Sequence, residues 1–187
     1  MISPTYGQLE LKEVVNKIAD YINKNGNNVK YKFIIGTDSQ VYGNNIVYVT
    51  VVACCCIGHG GIYFYDKSKI ASKVSLQERL YTEASLSLEF ASKFMTEITN
   101  HGEHLDTFIN LKSLEIHVDV GVDGESRAVI QGAIGMIKGS GYNVKIKPEA
   151  YTASCIADKH TKNVNPLSRA KKRQLKKEMV RIRKGLN

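Results

Sequence analysis

Apolar residues recur along the chain with two different periods, and the points where the period changes mark out the elements. Leu11, Val14, Val15, Ile18 and Ile22 fall at helical spacing and Gly26 closes the segment, so residues 8–24 read as an amphipathic helix. The run YKFIIGT (31–37) then reads as a strand, followed by a turn at Tyr42-Gly43-Asn44-Asn45. IVYVTVVACCCI (46–57) is β-branched and apolar on both faces, the pattern of a central strand covered on two sides. Gly58-His59-Gly60-Gly61 reverses the chain before IYFYD (62–66), and three strands with short links predict an antiparallel meander.

From residue 75 the helical period takes over. Leu76, Leu80, Ala84, Leu88, Ala91, Met95 and Ile98 share one face of a long helix over 75–99. SLEIHVD (113–119) alternates as a strand, ESRAVIQGAIGMIKG (125–139) reads as a helix ending at Gly139 or Gly141, and YNVKIKP (142–148) alternates until Pro148. A shorter helix over 150–162 follows, and Asn165-Pro166 caps a basic terminal helix. The order is one helix, three strands, then helix, strand, helix, strand, helix. Three antiparallel strands followed by crossover helices predict an α/β fold, a mixed five-stranded sheet with helices on both faces.

The 187 residues suit one domain with a short appendage. The expected division is an N-terminal amphipathic helix in 1–29, the sheet domain in 30–165 and a basic tail in 166–187. No uninterrupted apolar stretch reaches the roughly 20 residues that a membrane span needs. The opening MISPTYGQLELKEVV lacks a basic region followed by an apolar run, so it is not a secretory signal, and the cytoplasm is the expected compartment. Cys54, Cys55 and Cys56 are consecutive, and no pair of cysteines has zinc-binding spacing, so these and Cys155 read as buried thiols.

The net charge of +8 becomes informative when it is located. Residues 159–187 hold 11 Lys or Arg and a single acid, Glu178, whereas residues 1–158 hold 15 Lys or Arg and 17 Asp or Glu. The whole basic excess lies in the last 29 residues, the pattern of a polyanion-binding tail on a nearly neutral body. Leu175, Met179, Ile182 and Leu186 form a narrow apolar stripe in that tail, leaving Arg169, Lys171, Lys172, Arg173, Lys176 and Lys177 for phosphates. The stripe carries no aromatic residue, which disfavours a membrane surface as the partner.

Four acids stand where chemistry is expected. Asp38 ends the predicted first strand and Asp119 the fourth, and strand ends beside a change of connection are where open α/β sheets place ligands. Glu83 lies about 60° from the centre of the long helix's apolar stripe at helical periodicity. An acid there needs a partner, either a basic side chain or a shared metal ion, because desolvating an unpaired carboxylate costs several kcal/mol. Asp158 sits at the start of the polar part of the short helix. Four oxygen donors suit Mg²⁺ or Mn²⁺ better than zinc, and two such ions roughly 4 Å apart can hold both the attacking and the leaving oxygen of a phosphodiester. Asp123 and Glu125 are weaker alternatives close to Asp119, and Asp123 also suits a helix cap.

These residues carry a resemblance. The acids in this element order resemble those of the ribonuclease H-like superfamily, and TDS is similar to the TDGS-type start of ribonuclease H. More narrowly, GTDSQ, RLYTEASLSLE, HVDVG with GESR, and GYNVKIKPEAYTASCIADKHTK resemble the YkuK family of ribonuclease H-like proteins, over about residues 30–162. The resemblance implies metal ligation by Asp38, Glu83, Asp119 and Asp158, with Asp119 bridging or flanking a first ion and Asp158 completing a second site. Ser39-Gln40 follow Asp38, so the Asp-x-Glu start of proofreading 3′–5′ exonucleases is missing, while a resolvase-like member stays open.

His160 is a candidate proton carrier or an exposed polar residue, and His117 a packing or hydrogen-bonding one. His59, His101 and His104 fall in predicted loops. Lys145, Lys147, Lys159 and Lys162 are placed to touch phosphates flanking a cut, or to line a solvated face. The expected function is a Mg²⁺- or Mn²⁺-dependent nuclease acting with two ions on RNA, an RNA–DNA hybrid or DNA, with RNA preferred by resemblance. The alternatives are a non-catalytic nucleic-acid-binding module on the same fold, and an adaptor whose terminal helix docks onto a partner protein.

Overall fold

The computed structural model describes residues 1–71, 74–102, 105–110, 113–120, 127–147 and 149–161. Lys162, the predicted terminal helix with its six basic positions, His104, Asp123 and Glu125 all lie outside the described residues.

Two two-residue strands, β1 (Ile2–Ser3) and β2 (Gly7–Gln8), open the chain and lead into helix α1 (Leu11–Asn25). Glu13 accepts a hydrogen bond from the Glu10 backbone N–H at 2.8 Å, which holds the first turn, and Gly26 at φ +83° ends the helix. Val14, Val15, Ile18 and Ile22 are all buried, as their spacing requires. The meander follows as β3 (Tyr31–Tyr42), β4 (Asn45–Cys56) and β5 (Gly60–Ala71); β3 and β5 are longer than their hydrophobic runs suggest. Next come α2 (Leu76–His101), β6 (Leu114–Val118), α3 (Arg127–Gly139), β7 (Asn143–Ile146) and α4 (Tyr151–Thr161). Ser75 caps α2: its Oγ accepts from the Glu78 N–H, and Glu78 Oε2 accepts from the Ser75 N–H.

Among the described residues the sheet has seven strands in the order β2-β1-β5-β4-β3-β6-β7, not the five expected. The two extra strands are too short to show a period, and they form a small hairpin on the outer edge of β5. The rest agrees with the alternation of the sequence: β4 runs antiparallel to both of its neighbours, β3 and β5, whereas β6 and β7 run parallel to β3 after helical crossovers.

Period-two alternation divides the side chains between two faces. One face carries Phe33, Ile35, Val52, Cys54, Phe64, Leu114 and Ile116, and packs with α1, α2 and α3 into the main core. The N-terminal helix thus contributes to the same core as the rest of the domain. The opposite face carries Ile34, Ala53, Val47, Val49, Val51 and Tyr65, and is covered by α4 through Ala153 and Ala157. Cys54 and Cys56 are buried thiols as expected, but Cys155 is exposed because it lies on the outer side of α4.

Gly36 sets how closely α4 approaches the sheet. A Cβ at this position would stand 2.6 Å from Ala153 Cβ and 2.9 Å from the His117 carbonyl oxygen. The absence of a side chain therefore lets α4 sit directly on β3, two residues before Asp38. Gly36→Ala should lower the urea midpoint with little change in slope, a cost of about 1–3 kcal/mol. Ala153→Gly in the same chain should restore part of the loss, and a stability unchanged by Gly36→Ala would contradict this packing.

Candidate functional site

The ladder between β3 and β6 ends at Gly36↔His117, whereas β3 continues through Tyr42. Asp38 is therefore not at the end of its own strand, as expected from the sequence, but within it, paired with Val49 of β4. What ends beside it is the neighbouring β6. Continuing the register by two residues brings Asp119 next to Asp38 on the α4 face. Asp158 projects from α4, which covers that face, and Glu83 comes from α2 on the other side of the sheet. Beyond His117 no β6 residue pairs with β3, and acids from the two faces of the sheet approach this open edge.

Glu83 is buried at 4% exposure and accepts a hydrogen bond from Ser39 Oγ at 2.6 Å. One turn further along α2, Ser87 Oγ donates to Thr37 Oγ1 and to the Glu83 carbonyl oxygen, and Thr37 Oγ1 lies 3.0 Å from Thr50 Oγ1. Alternate β3 residues Thr37 and Ser39 thus meet the i, i+4 pair Glu83 and Ser87, and these hydroxyls fix the register of helix on strand. The partner that the structure gives Glu83 is thus a hydroxyl, on one carboxylate oxygen, and no Lys or Arg among the described residues is in ion-pair contact with it.

The acids act on one another. Burial and then the charges of Asp158 and Asp119 push the Asp38 carboxyl up to about 6, against the backbone N–H of Ser39 and the charge of Arg79. Burial pushes Glu83 up to about 7, with Asp38 and Asp119 adding to the shift and the Ser39 hydrogen bond and Arg79 opposing it. Carboxylates drawn out of water beside other carboxylates resist ionisation, and such pairs are enriched at functional sites. Asp119 Oδ1 is out of contact with solvent and has Lys147 Nζ 2.5 Å away, an ion contact without hydrogen-bond alignment. Lys147 itself is half exposed, so this cation enters from the rim. Among the described residues, no group of three or more His, Cys, Asp or Glu side chains is close enough to hold a metal ion. Carboxylates drawn partly out of water are the donor type that hard divalent cations take, and a charge of that kind would offset the repulsion between the acids.

The other expected residues fall into two groups. His160 is buried rather than exposed: its ring stacks on Tyr65 with centroids 3.7 Å apart, and its Nε2 lies 3.2 Å from Tyr63 Oη. Burial, helped by Lys67 and Lys159, lowers it to about 4, so it stays neutral at physiological pH. Its ring packs α4 on β5. His117 pairs through Nε2 with Glu115 Oε2 at 3.0 Å, and Glu115 also meets Lys32. His101 closes α2 instead of lying in a loop. Lys145 pairs with Glu149, and Lys159 is exposed.

Two residues near the acids escaped the sequence reading. Ser39 is buried and orients Glu83; its signal was a hydroxyl continuing the core-facing alternation Phe33, Ile35, Thr37. Arg79 lies one helical turn before Glu83, a spacing that places both on the same side of α2.

The family model described as "Ribonuclease H-like" matches residues 13–162. An uncharacterized protein of Bacillus subtilis, YkuK, is 28% identical over 165 residues, which cover 83% of this chain and 92% of the relative. The solved structure of ribonuclease H1 from the archaeon Halobacterium salinarum aligns at 15% identity and a TM-score of 0.36, covering 64% of this chain and 87% of that one. The N-terminal ribonuclease H domain of a Mycobacterium tuberculosis protein aligns at 11% identity and a TM-score of 0.35, covering 71% and 95%. No helix among the described residues is long and apolar enough to cross a membrane.

The raised carboxyls make stability depend on pH. Relative to an unfolded chain with ordinary values of 3.8 and 4.5, the folded chain holds these two protons to higher pH, so stability falls as pH rises from about 4 to about 7. Glu83→Gln removes the ionisable group while keeping an acceptor for Ser39. It should raise the denaturant midpoint at pH 8, by on the order of 2 kcal/mol, and change little at pH 4. A Glu83→Gln chain less stable than the wild type at pH 8 would contradict the assigned repulsion.

Proposed function

The chain belongs to the ribonuclease H-like family, and from that premise we propose that it is a divalent-metal-dependent nuclease acting on phosphodiester bonds, with RNA or an RNA–DNA hybrid as the preferred substrate. The observation that supports this reading is the meeting of Asp38, Glu83, Asp119 and Asp158, from two strands and two helices, in one neighbourhood where the first two resist ionisation.

In this reading Asp38, Glu83, Asp119 and Asp158 hold one or two Mg²⁺ or Mn²⁺ ions. When bound, the ions supply Lewis-acid activation of water and stabilisation of charge on the phosphoryl and leaving oxygens. The residues of the chain do the rest. Ser39 keeps one oxygen of Glu83 engaged and so fixes the direction of the other. Gly36 lets α4 bring Asp158 down to the β3 edge. Lys147 holds Asp119 until a cation competes for it. Below about pH 6 protons occupy Asp38 and Glu83, so cations are bound less tightly there and cleavage slows. Basic residues outside the described segments, Lys162 and the tail from Arg169 to Lys177, add phosphate contacts without base selectivity.

A second reading, a non-catalytic nucleic-acid-binding module, is favoured by one observation: Lys147 already supplies a positive charge to Asp119. Binding of hybrid, duplex or single strand that survives chelation, with no cleavage of any of them, would select it.

The purified chain should cleave an RNA–DNA hybrid with Mg²⁺ or Mn²⁺ and stop when the ions are chelated. Its rate should climb between pH 5.5 and 8, a window spanning the two raised carboxyls at about 6 and about 7. Asp119→Asn should lower kcat/KM by at least on the order of a hundredfold with an unchanged circular dichroism spectrum. Full cleavage by the Asp119→Asn chain would exclude this site.

A further inference from the structure

Arg79 is a cation beside the acids that none of them has captured. It lies on α2 at i−4 from Glu83, and its charge acts on both Glu83 and Asp38. Yet no carboxylate among the described residues stands within ion-pair distance of it, although Lys17, Lys32, Lys93, Lys145 and Lys147 each have such a partner. Its Nε is shielded from solvent and has no hydrogen-bond partner. A guanidinium N–H without water or an acceptor forfeits about 1–3 kcal/mol or more, so the position is costly unless an acceptor arrives from outside.

The chemistry of that acceptor follows from the donor. A guanidinium offers a planar fork of N–H groups matched to two oxygens of one oxyanion, and it is less strongly hydrated than an ammonium. The acids beside it do not close that fork, and a carboxylate ligand would add a further charge of the kind already crowded there without a bridging atom. A phosphodiester presents two non-bridging oxygens to match that fork, while its two bridging oxygens let the strand continue past the β3 edge. Lys147 approaches the acids from the other flank, through Asp119.

We propose that Arg79 is a phosphate-binding residue of this site, its guanidinium engaging the non-bridging oxygens of a backbone phosphate of a nucleic-acid strand laid along the open edge of β3. This assignment rests on the nuclease reading for the presence of a strand, and it adds the residue that holds the strand's phosphate. Nothing in it depends on which sugar the strand carries.

The test is equilibrium binding of a fluorescein-labelled RNA–DNA hybrid, followed by anisotropy across a salt series with Ca²⁺ in place of Mg²⁺. Asp38→Asn serves as the parent, because it prevents cleavage during the measurement and offsets the loss of a neighbouring cation. Relative to Asp38→Asn, the double variant Asp38→Asn/Arg79→Gln should bind about tenfold or more weakly, with the slope of log K against log salt reduced by about 0.7–0.9. Asp38→Asn/Arg79→Lys should keep the slope and recover part of the affinity, since it retains the charge without the fork. If the Gln variant does not fold, Arg79→Met keeps the alkyl stem, and the same loss of slope is expected of it. A parent that binds the hybrid while the Gln or Met variant matches it in both affinity and slope overturns the assignment and leaves the nuclease reading standing. A wild-type chain and a parent that both fail to bind hybrid, duplex and single strand overturn the two together.

Discussion

The organising constraint of this molecule is the repulsion among carboxylates held partly out of water at the edge of a sheet. Burial alone moves Asp38 and Glu83 in the same direction, toward the neutral acid; Asp158 and Asp119 add to it at Asp38, and Asp38 and Asp119 at Glu83. A chain selected for stability alone has an inexpensive escape, since an amide at either position would keep the hydrogen bonds and drop the charge. Keeping the acids instead requires a scaffold that tolerates the strain, and much of the fold can be understood as that scaffold.

Three features combine to produce the arrangement. The parallel ladder of β3 with β6 stops at Gly36↔His117, so Asp38 lies on an edge that its own strand continues past. The glycine at 36 lets α4 lie flat on β3 and carry Asp158 toward that edge. On the other face, hydroxyls of Thr37, Ser39 and Ser87 tie α2 to the same strand and hold Glu83 in place. Each feature is local, but the acids they deliver are far apart in sequence.

Much of this was legible in the sequence, for physical reasons. Strong periodicity gave the helices and β4 to within a few residues, because burial enforces it: Val14, Val15, Ile18 and Ile22, or the β-branched run of β4, have few alternative explanations. Strand ends were less legible, since β3 and β5 extend beyond their apolar cores into exposed positions that carry no hydrophobic signal. The two N-terminal strands have two residues each and no period at all. The acids could be chosen from their positions at element ends and stripe edges, but their partners could not. Ser39, Arg79 and the Lys147 contact depend on the register between elements, which a single sequence does not carry. His160 illustrates the converse: its place in a polar stretch suggested solvent, whereas stacking on Tyr65 buries it.

The account turns on whether the acids share a cation, and diffraction from crystals soaked in Mn²⁺ at pH 8, recorded for anomalous differences, addresses that directly. The expected result is one or two anomalous peaks among Asp38, Glu83, Asp119 and Asp158, with Lys147 Nζ displaced from Asp119. Lys147 still seated on Asp119, with no anomalous density at any of the four carboxylates, would contradict it.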